Sequence, residues 1–90
     1  MNVEEVFSSK LRMKIVRILA QVGELNVSEI ARRLSVNYVT TNSHLKVLED
    51  EGILRHKTFG RIHLYRLNEN SAKAKALQNL MDVWENSSRG

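Results

Sequence analysis

Tyr38, Val39, Thr40, Asn42 and Ser43 follow one another closely between Asn37 and Lys46. Four of these five carry a hydroxyl or an amide that both donates and accepts a hydrogen bond, the chemistry needed to bond base edges in a duplex major groove. Val39 adds an apolar surface that suits a thymine methyl. Lys46, a turn further on, suits a phosphate or a guanine edge. Upstream stand Arg32 and Arg33, and downstream Lys57 and Arg61, where cationic side chains can pair with phosphate oxygens. Lys10, Arg12 and Lys14 are weaker candidates of the same kind. A plain solvated helix face is also polar, and charge also keeps an edge strand soluble, so these residues acquire meaning only from the elements that carry them.

Other chemistries find little support in the 90 residues. There is no Cys, which excludes a disulfide scaffold, a thiolate zinc site, a Cys nucleophile and a thiol redox sensor. The chain has no Gly-rich phosphate loop and no Ser/His/Asp order with a supporting motif, and its only dense carboxylates, Glu49, Asp50 and Glu51, lie in a solvated stretch. Neither an enzyme nor a cofactor is expected. His56 and His63 face each other if Phe59-Gly60 is a two-residue loop, and a cross-strand pair of that kind can ligate a metal. With no third ligand nearby in sequence, a packed or DNA-facing role is the better expectation and no metal site is assigned. His44 falls beside the apolar stripe of its helix, half-buried or against a phosphate.

Length and charge narrow the class further. Ninety residues make one domain, 1–90, and a domain this small buries only about 60 to 65% of its unfolded surface, which favours added core from a partner subunit. Fourteen Lys and Arg against ten Asp and Glu give a net charge of +4. Between Ser8 and Leu67 there are eleven basic and five acidic residues, whereas the flanks hold three and five, so a basic working surface lies between less basic ends. Uninterrupted apolar runs are only a few residues long, against the roughly 20 that span a bilayer, and the N-terminus has no basic-then-apolar leader pattern. No membrane partner is expected, and the location implied is the cytoplasm, on the nucleoid.

The elements that must position the candidate residues can be read in order. Val3, Val6 and Phe7 mark a short apolar-faced turn or helix. Ser8 or Ser9 caps a helix to about Val22, with Leu11, Ile15, Ile18, Leu19 and Val22 at helical spacing and Gly23 as its stop. Asn26 and Glu29 approximate a capping box for a short helix to about Ser35 that buries Ile30, Ala31 and Leu34. Asn37 caps the next helix, to about Glu51, in which Thr41, Leu45 and Leu48 form one stripe while Val39, Ser43, Lys46 and Asp50 point the opposite way. Two short helices joined by the tight Ser35–Asn37 connection make a helix-turn-helix. A β-hairpin follows, Ile53 to Thr58 and Arg61 to Leu67 around Phe59-Gly60. Asn68 or Asn70 then caps a last helix with a broad apolar face from Ala76, Leu77, Leu80, Met81, Val83 and Trp84. Ser87 to Gly90 form a frayed tail.

From Leu11 to Asn68, about two thirds of the chain, this order and wording resemble the ArsR-type regulators, most specifically in SHLKVLEDEGIL and in the Gly60 to Leu67 stretch that runs into YRLN. The resemblance implies an α+β, mostly helical winged helix-turn-helix with a two-stranded wing. It further implies a dimeric, sequence-specific regulator of transcription that binds double-stranded DNA, with dimerisation helices at 1–7 and 69–86 and the second motif helix in the major groove. Tyr38, Val39, Thr40, Asn42 and Ser43 then become base contacts. Arg32, Arg33, Asn37, Lys46, Lys57 and Arg61 become backbone or wing contacts, Asn37 chiefly through the helix N-terminus it opens.

Two departures from the family are plain. Where metal-sensing members carry a CVC run, this chain has Asn26, Val27 and Ser28, and from Ala72 to Glu85 there is no His and only Asp82 and Glu85 as carboxylates. A small-molecule effector is not named by any residue. Val3, Val6, Phe7, Leu77, Leu80, Met81 and Trp84 together exceed what a small monomer hides, and a twofold homodimer would bury them. The expectation is a homodimeric repressor on a pseudo-palindromic site. Its rivals are a DNA-architectural protein with low sequence preference and a winged-helix protein-contact module.

Overall fold

The computed structural model describes residues 1–88, as α1 (Val3–Val6), α2 (Lys10–Val22), β1 (Glu24–Asn26), α3 (Val27–Leu34), α4 (Tyr38–Asp50), β2 (Leu54–Phe59), β3 (Ile62–Leu67) and α5 (Ala72–Ser88). Each helix starts where a short polar side chain can take up an orphan amide. Asn2 and Glu5 form a reciprocal capping box. The hydroxyl of Ser9 accepts from the Arg12 amide, Asn26 Oδ1 from the Glu29 amide at 2.8 Å, and Asn37 Oδ1 from the Thr40 amide at 2.8 Å. At α5 the cap is Ser71, whose hydroxyl accepts from the Ala74 amide, rather than Asn68 or Asn70; Asn68 instead accepts from the Asn70 amide within the preceding turn. The helix runs on through Ser88, so Ser87 and Ser88, expected in a frayed tail over 87–90, are helical, and residues 89 and 90 of that expectation lie outside the described residues.

A single core gathers one face of every helix longer than a turn. Ile15, Val16 and Leu19 of α2 meet Val27 and Ile30 of α3, Leu45 and Leu48 of α4, and Ile53, Leu54 and Tyr65 of the sheet. In α2 it is Val16, not Val22, that completes the buried face; Val22 is exposed. The expected α4 stripe of Thr41, Leu45 and Leu48 is fully buried. The two leucines alone contribute roughly 3–6 kcal/mol of transfer free energy. Thr41 meets its hydrogen-bonding need by donating to the Asn37 carbonyl at 2.9 Å. Burying that stripe forces the opposite side of α4 outward.

The wing differs from expectation in two respects. A third strand, β1, adds to the hairpin, giving an antiparallel sheet of order β1-β3-β2 with Leu25 opposite Tyr65. The hairpin loop is Gly60-Arg61 rather than Phe59-Gly60, because Phe59 and Ile62 are themselves a cross-strand pair. Gly60 has φ +58°, so the glycine takes the first loop position, as in the II′ turns that match strand twist. His56 consequently lies opposite Tyr65, and His63 opposite Thr58. Each partner has moved by two residues, which leaves every side chain on its expected face. The two imidazoles remain diagonal neighbours, with ring centroids 5.5 Å apart and edge-to-face.

Candidate nucleic-acid interface

α3 and α4 meet through a turn in which Ser35 adopts the left-handed region at φ 56°, ψ 43°. Its amide donates to the Arg32 carbonyl, and the Val36 amide donates to the Ala31 carbonyl, closing α3 within a residue. α4 thus starts at a fixed angle, with Asn37 exposed at its tip. Tyr38, Val39 and Ser43 are exposed, while Thr40 and Asn42 are half-buried at the edges of the same face. Val39 is 74% exposed, an apolar side chain standing opposite the core stripe. Ser43 donates its hydroxyl to the Val39 carbonyl at 3.1 Å, which still leaves lone pairs free to accept. Lys46 is exposed further along and takes part in no ion pair among the described residues.

The remaining cations divide into held and free. Arg32 and Arg33 both reach back to Glu29, at 2.5 and 3.1 Å, and their hydrogen bonds hold that carboxyl at about 2. The sequence placed Glu29 in the α3 cap, but its carboxylate turns to the two arginines instead, a pairing that the spacing of three and four along one helix already signalled. Lys57 stands 3.9 Å from Glu24 of β1, whereas Arg61, at the wing tip, has no ion-pair partner among the described residues. Two of the three acidic residues at the end of α4 are occupied elsewhere. Glu49 pairs with His56 at 2.5 Å, and Glu51 with Lys73 at 3.2 Å.

His44 faces α2 rather than solvent. Arg12 approaches its Nδ1 at 3.5 Å and also donates to the carbonyls of Val6 and Glu5, so one guanidinium closes the end of α1 and touches α4. Burial first, and the Arg12 charge second, push the His44 imidazole below its ordinary value and favour the neutral ring.

The apolar surface set aside for a partner is split by the fold. Val6 and Met81 are buried in the protomer's own core, and Phe7 and Leu77 pack partly against it. Val3, Leu80 and Trp84 remain presented, joined by Val83. Leu80 and Trp84 also edge an open groove of about 600 Å³ between α2 and α5.

The metal sites of related sensors do not fit this chain. Asn26, where a thiolate would be needed, spends its side-chain oxygen on the α3 cap, and Ser28 is exposed. Among the described residues no three His, Cys, Asp or Glu cluster in a way that could hold an ion. His56 and His63 have Glu49 and Thr58 as their neighbours instead.

Comparison with known proteins bears on what this surface is for. The profile of the bacterial regulatory protein, arsR family, matches residues 9–56. An HTH-type transcriptional regulator of Sulfolobus spindle-shape virus 1, B-115, is 28% identical over 85 residues, covering 94% of this chain and 74% of that protein. The homolog of the cadmium resistance transcriptional regulatory protein CadC in Staphylococcus aureus is 32% identical over 76 residues, covering 81% of this chain and 63% of that one. Among solved structures, the homodimeric winged helix-turn-helix DNA-binding domain of a possible ArsR-family transcriptional regulator from Mycobacterium bovis superposes with a TM-score of 0.74. It is 26% identical, with 93% of this chain and 75% of that one covered.

Proposed function

Because this chain belongs to the arsR family of bacterial regulatory proteins, and is thus a DNA-binding transcriptional regulator with a winged helix-turn-helix fold, we propose that it is a homodimeric repressor of a pseudo-palindromic site. The observation that carries this reading is the outward half of α4. A helix anchored by three fully buried residues presents Tyr38, Val39 and Ser43 in the open, with Thr40 and Asn42 half-buried at their edges. Those side chains read base edges in the major groove.

Around them, Asn37 at the helix tip, Lys46, Lys57 and Arg61 contact phosphate or the flanking minor groove, and Arg32 and Arg33 do so after leaving Glu29. The whole 1–90 unit serves as one DNA-binding domain. Its ends, 1–7 and 69–86, pair with a second copy through Val3, Leu80 and Trp84, with Phe7 and Leu77 at the margin; the homodimeric Mycobacterium bovis domain supports this arrangement. Two recognition helices then enter successive major grooves about 34 Å apart, and occupancy of a promoter blocks transcription from a cytoplasmic, DNA-bound position.

Selection from a randomised duplex library at about 150 mM salt, followed by sequencing, tests the reading, since weak nonspecific attraction is suppressed there. The expected result is an enriched inverted repeat. Binding without enrichment would make the protein an architectural one, and no recovered DNA would make it a protein-contact module.

A further inference from the structure

We propose that Phe59 and Ile62 form an apolar wedge at the tip of the β2–β3 hairpin that seats against the deoxyribose walls of a DNA minor groove. The inference rests on the DNA-binding reading above and adds to it a contact that is neither a base bond nor a phosphate pair. The two residues are the last cross-strand pair before the Gly60-Arg61 loop, and they are 58% and 50% exposed. As direct partners they point to one side of the sheet. Leu54 and Tyr65, which are buried, belong to the opposite side. Both side chains stand about half open to solvent, and a tip selected for solubility alone would carry polar or charged residues.

The charges around the pair identify the occupant. From Leu54 to Asn68 there is no Asp or Glu, while Arg55, Lys57, Arg61 and Arg66 lie in that stretch. Arg55 and Arg66 share the single carboxylate of Glu69, and Lys57 approaches Glu24. Arg61 has no such partner among the described residues, so the outermost point of the wing combines a bare cation with two apolar side chains. A minor groove offers the matching surface, rows of phosphate flanking sugar walls, and apolar side chains enter it in many architectural complexes. An anionic lipid headgroup layer shares part of this chemistry. DNA is favoured because the hairpin is fastened to the recognition helix by the His56–Glu49 contact at 2.5 Å, which carries the tip wherever α4 docks.

The test uses the full chain and fluorescence anisotropy on 30-base-pair duplexes, one A·T-rich and one G·C-rich, with the salt concentration stepped upward. Wild type is compared with Phe59→Ser, Ile62→Thr, the double variant and Arg61→Ala. Thermal melting monitors folding, and Ile62→Thr keeps a β-branched residue in the strand. The double variant is expected to bind roughly tenfold more weakly at every salt concentration with an unchanged log–log slope, because it loses buried apolar area and no phosphate contact. Arg61→Ala, by contrast, lowers the slope by about 1. A double variant that binds DNA as tightly as wild type overturns the wedge and leaves the α4 reading standing. A wild-type protein with no salt-dependent DNA binding overturns both. Loss of binding to phosphatidylserine vesicles in the double variant, with DNA affinity untouched, overturns the wedge by assigning the tip to a lipid surface.

Discussion

Glu49, in the last turn of α4, accepts a hydrogen bond from Nδ1 of His56 on β2 at 2.5 Å, and this contact ties the recognition helix to the wing. The imidazole is also stacked on Tyr65, with ring centroids 4.9 Å apart. Burial, and secondarily the Glu49 charge, push the Tyr65 phenol up to about 12, so it stays protonated throughout the working range. Glu49→Ala should therefore loosen the hairpin without disturbing the α4 core. Global stability falls by about 1 kcal/mol or less, as for other partly exposed pairs, whereas amide exchange in β2 and β3 quickens several-fold. Exchange rates identical to wild type would show that strand pairing alone holds the wing.

Glu29 supplies a pH dependence whose sign can be worked out. Its carboxyl is held at about 2 in the folded chain by Arg32 and Arg33, against an ordinary 4.5. A depressed folded value means that the contribution is complete above the unfolded value and is lost as pH falls from about 4.5 toward 2. Glu29→Gln should flatten that acid limb in denaturant melts recorded across the window. It should also release both guanidiniums, tightening binding to nonspecific duplex a few-fold at low salt. Unchanged DNA affinity would remove Arg32 and Arg33 from the interface.

Asn42 and Arg61 separate base reading from phosphate attraction. If three or four cations per protomer touch phosphate, the dimer's log–log salt slope is about −5 to −7. Asn42→Ala should cost about 1–3 kcal/mol on the selected site and relax the preference at one position, while Arg61→Ala weakens all sequences alike. Equal losses for Asn42→Ala on selected and random duplex would defeat its base-reading role.

What the sequence made legible follows from locality. Ser9, Asn26 and Asn37 announce helix starts because each cap bonds an amide three residues on, and the Thr41, Leu45, Leu48 stripe needs only the helical period. β1 escaped because three residues have no period, and its strand character comes from the free edge of β3, some forty residues away. The loop moved to Gly60-Arg61 because composition places a glycine near a turn without saying which loop position it takes. On α5, periodicity could not tell Met81, which the protomer buries, from Leu80 and Trp84, which it leaves out. The Glu49–His56 contact joins two elements and has no local signature at all.

The turn of the helix-turn-helix offers a direct test of backbone strain. Ser35 is the only non-glycine residue with positive φ among the described residues. An L side chain in that region costs roughly 1–2 kcal/mol, while glycine gives back part of the difference through a more flexible unfolded chain. Ser35→Gly should stabilise the domain by about 0.5 kcal/mol, and Ser35→Val should destabilise it by about 1 kcal/mol or more. Urea midpoints in the reverse order would mean that the serine hydroxyl contributes more than the backbone loses.

Trp84 and Met81 lie three residues apart on α5 yet face different environments, and substituting each separates the core from the candidate dimer face. Met81 is 8% exposed and Trp84 68%. Met81→Ala opens a cavity and should cost about 2–4 kcal/mol of protomer stability. Trp84→Ala removes a side chain the protomer scarcely covers, so dilute samples should unfold within about 0.5 kcal/mol of wild type. A large aromatic at the centre of an interface is a typical binding hot spot, worth about 2 kcal/mol or more, and its loss should raise the dimer dissociation constant about thirtyfold. Sedimentation equilibrium over a range of loading concentrations reads that constant directly. A wild-type chain that stays monomeric at every concentration would sink the dimer, and a Trp84→Ala dimer as tight as wild type would move the interface to another face.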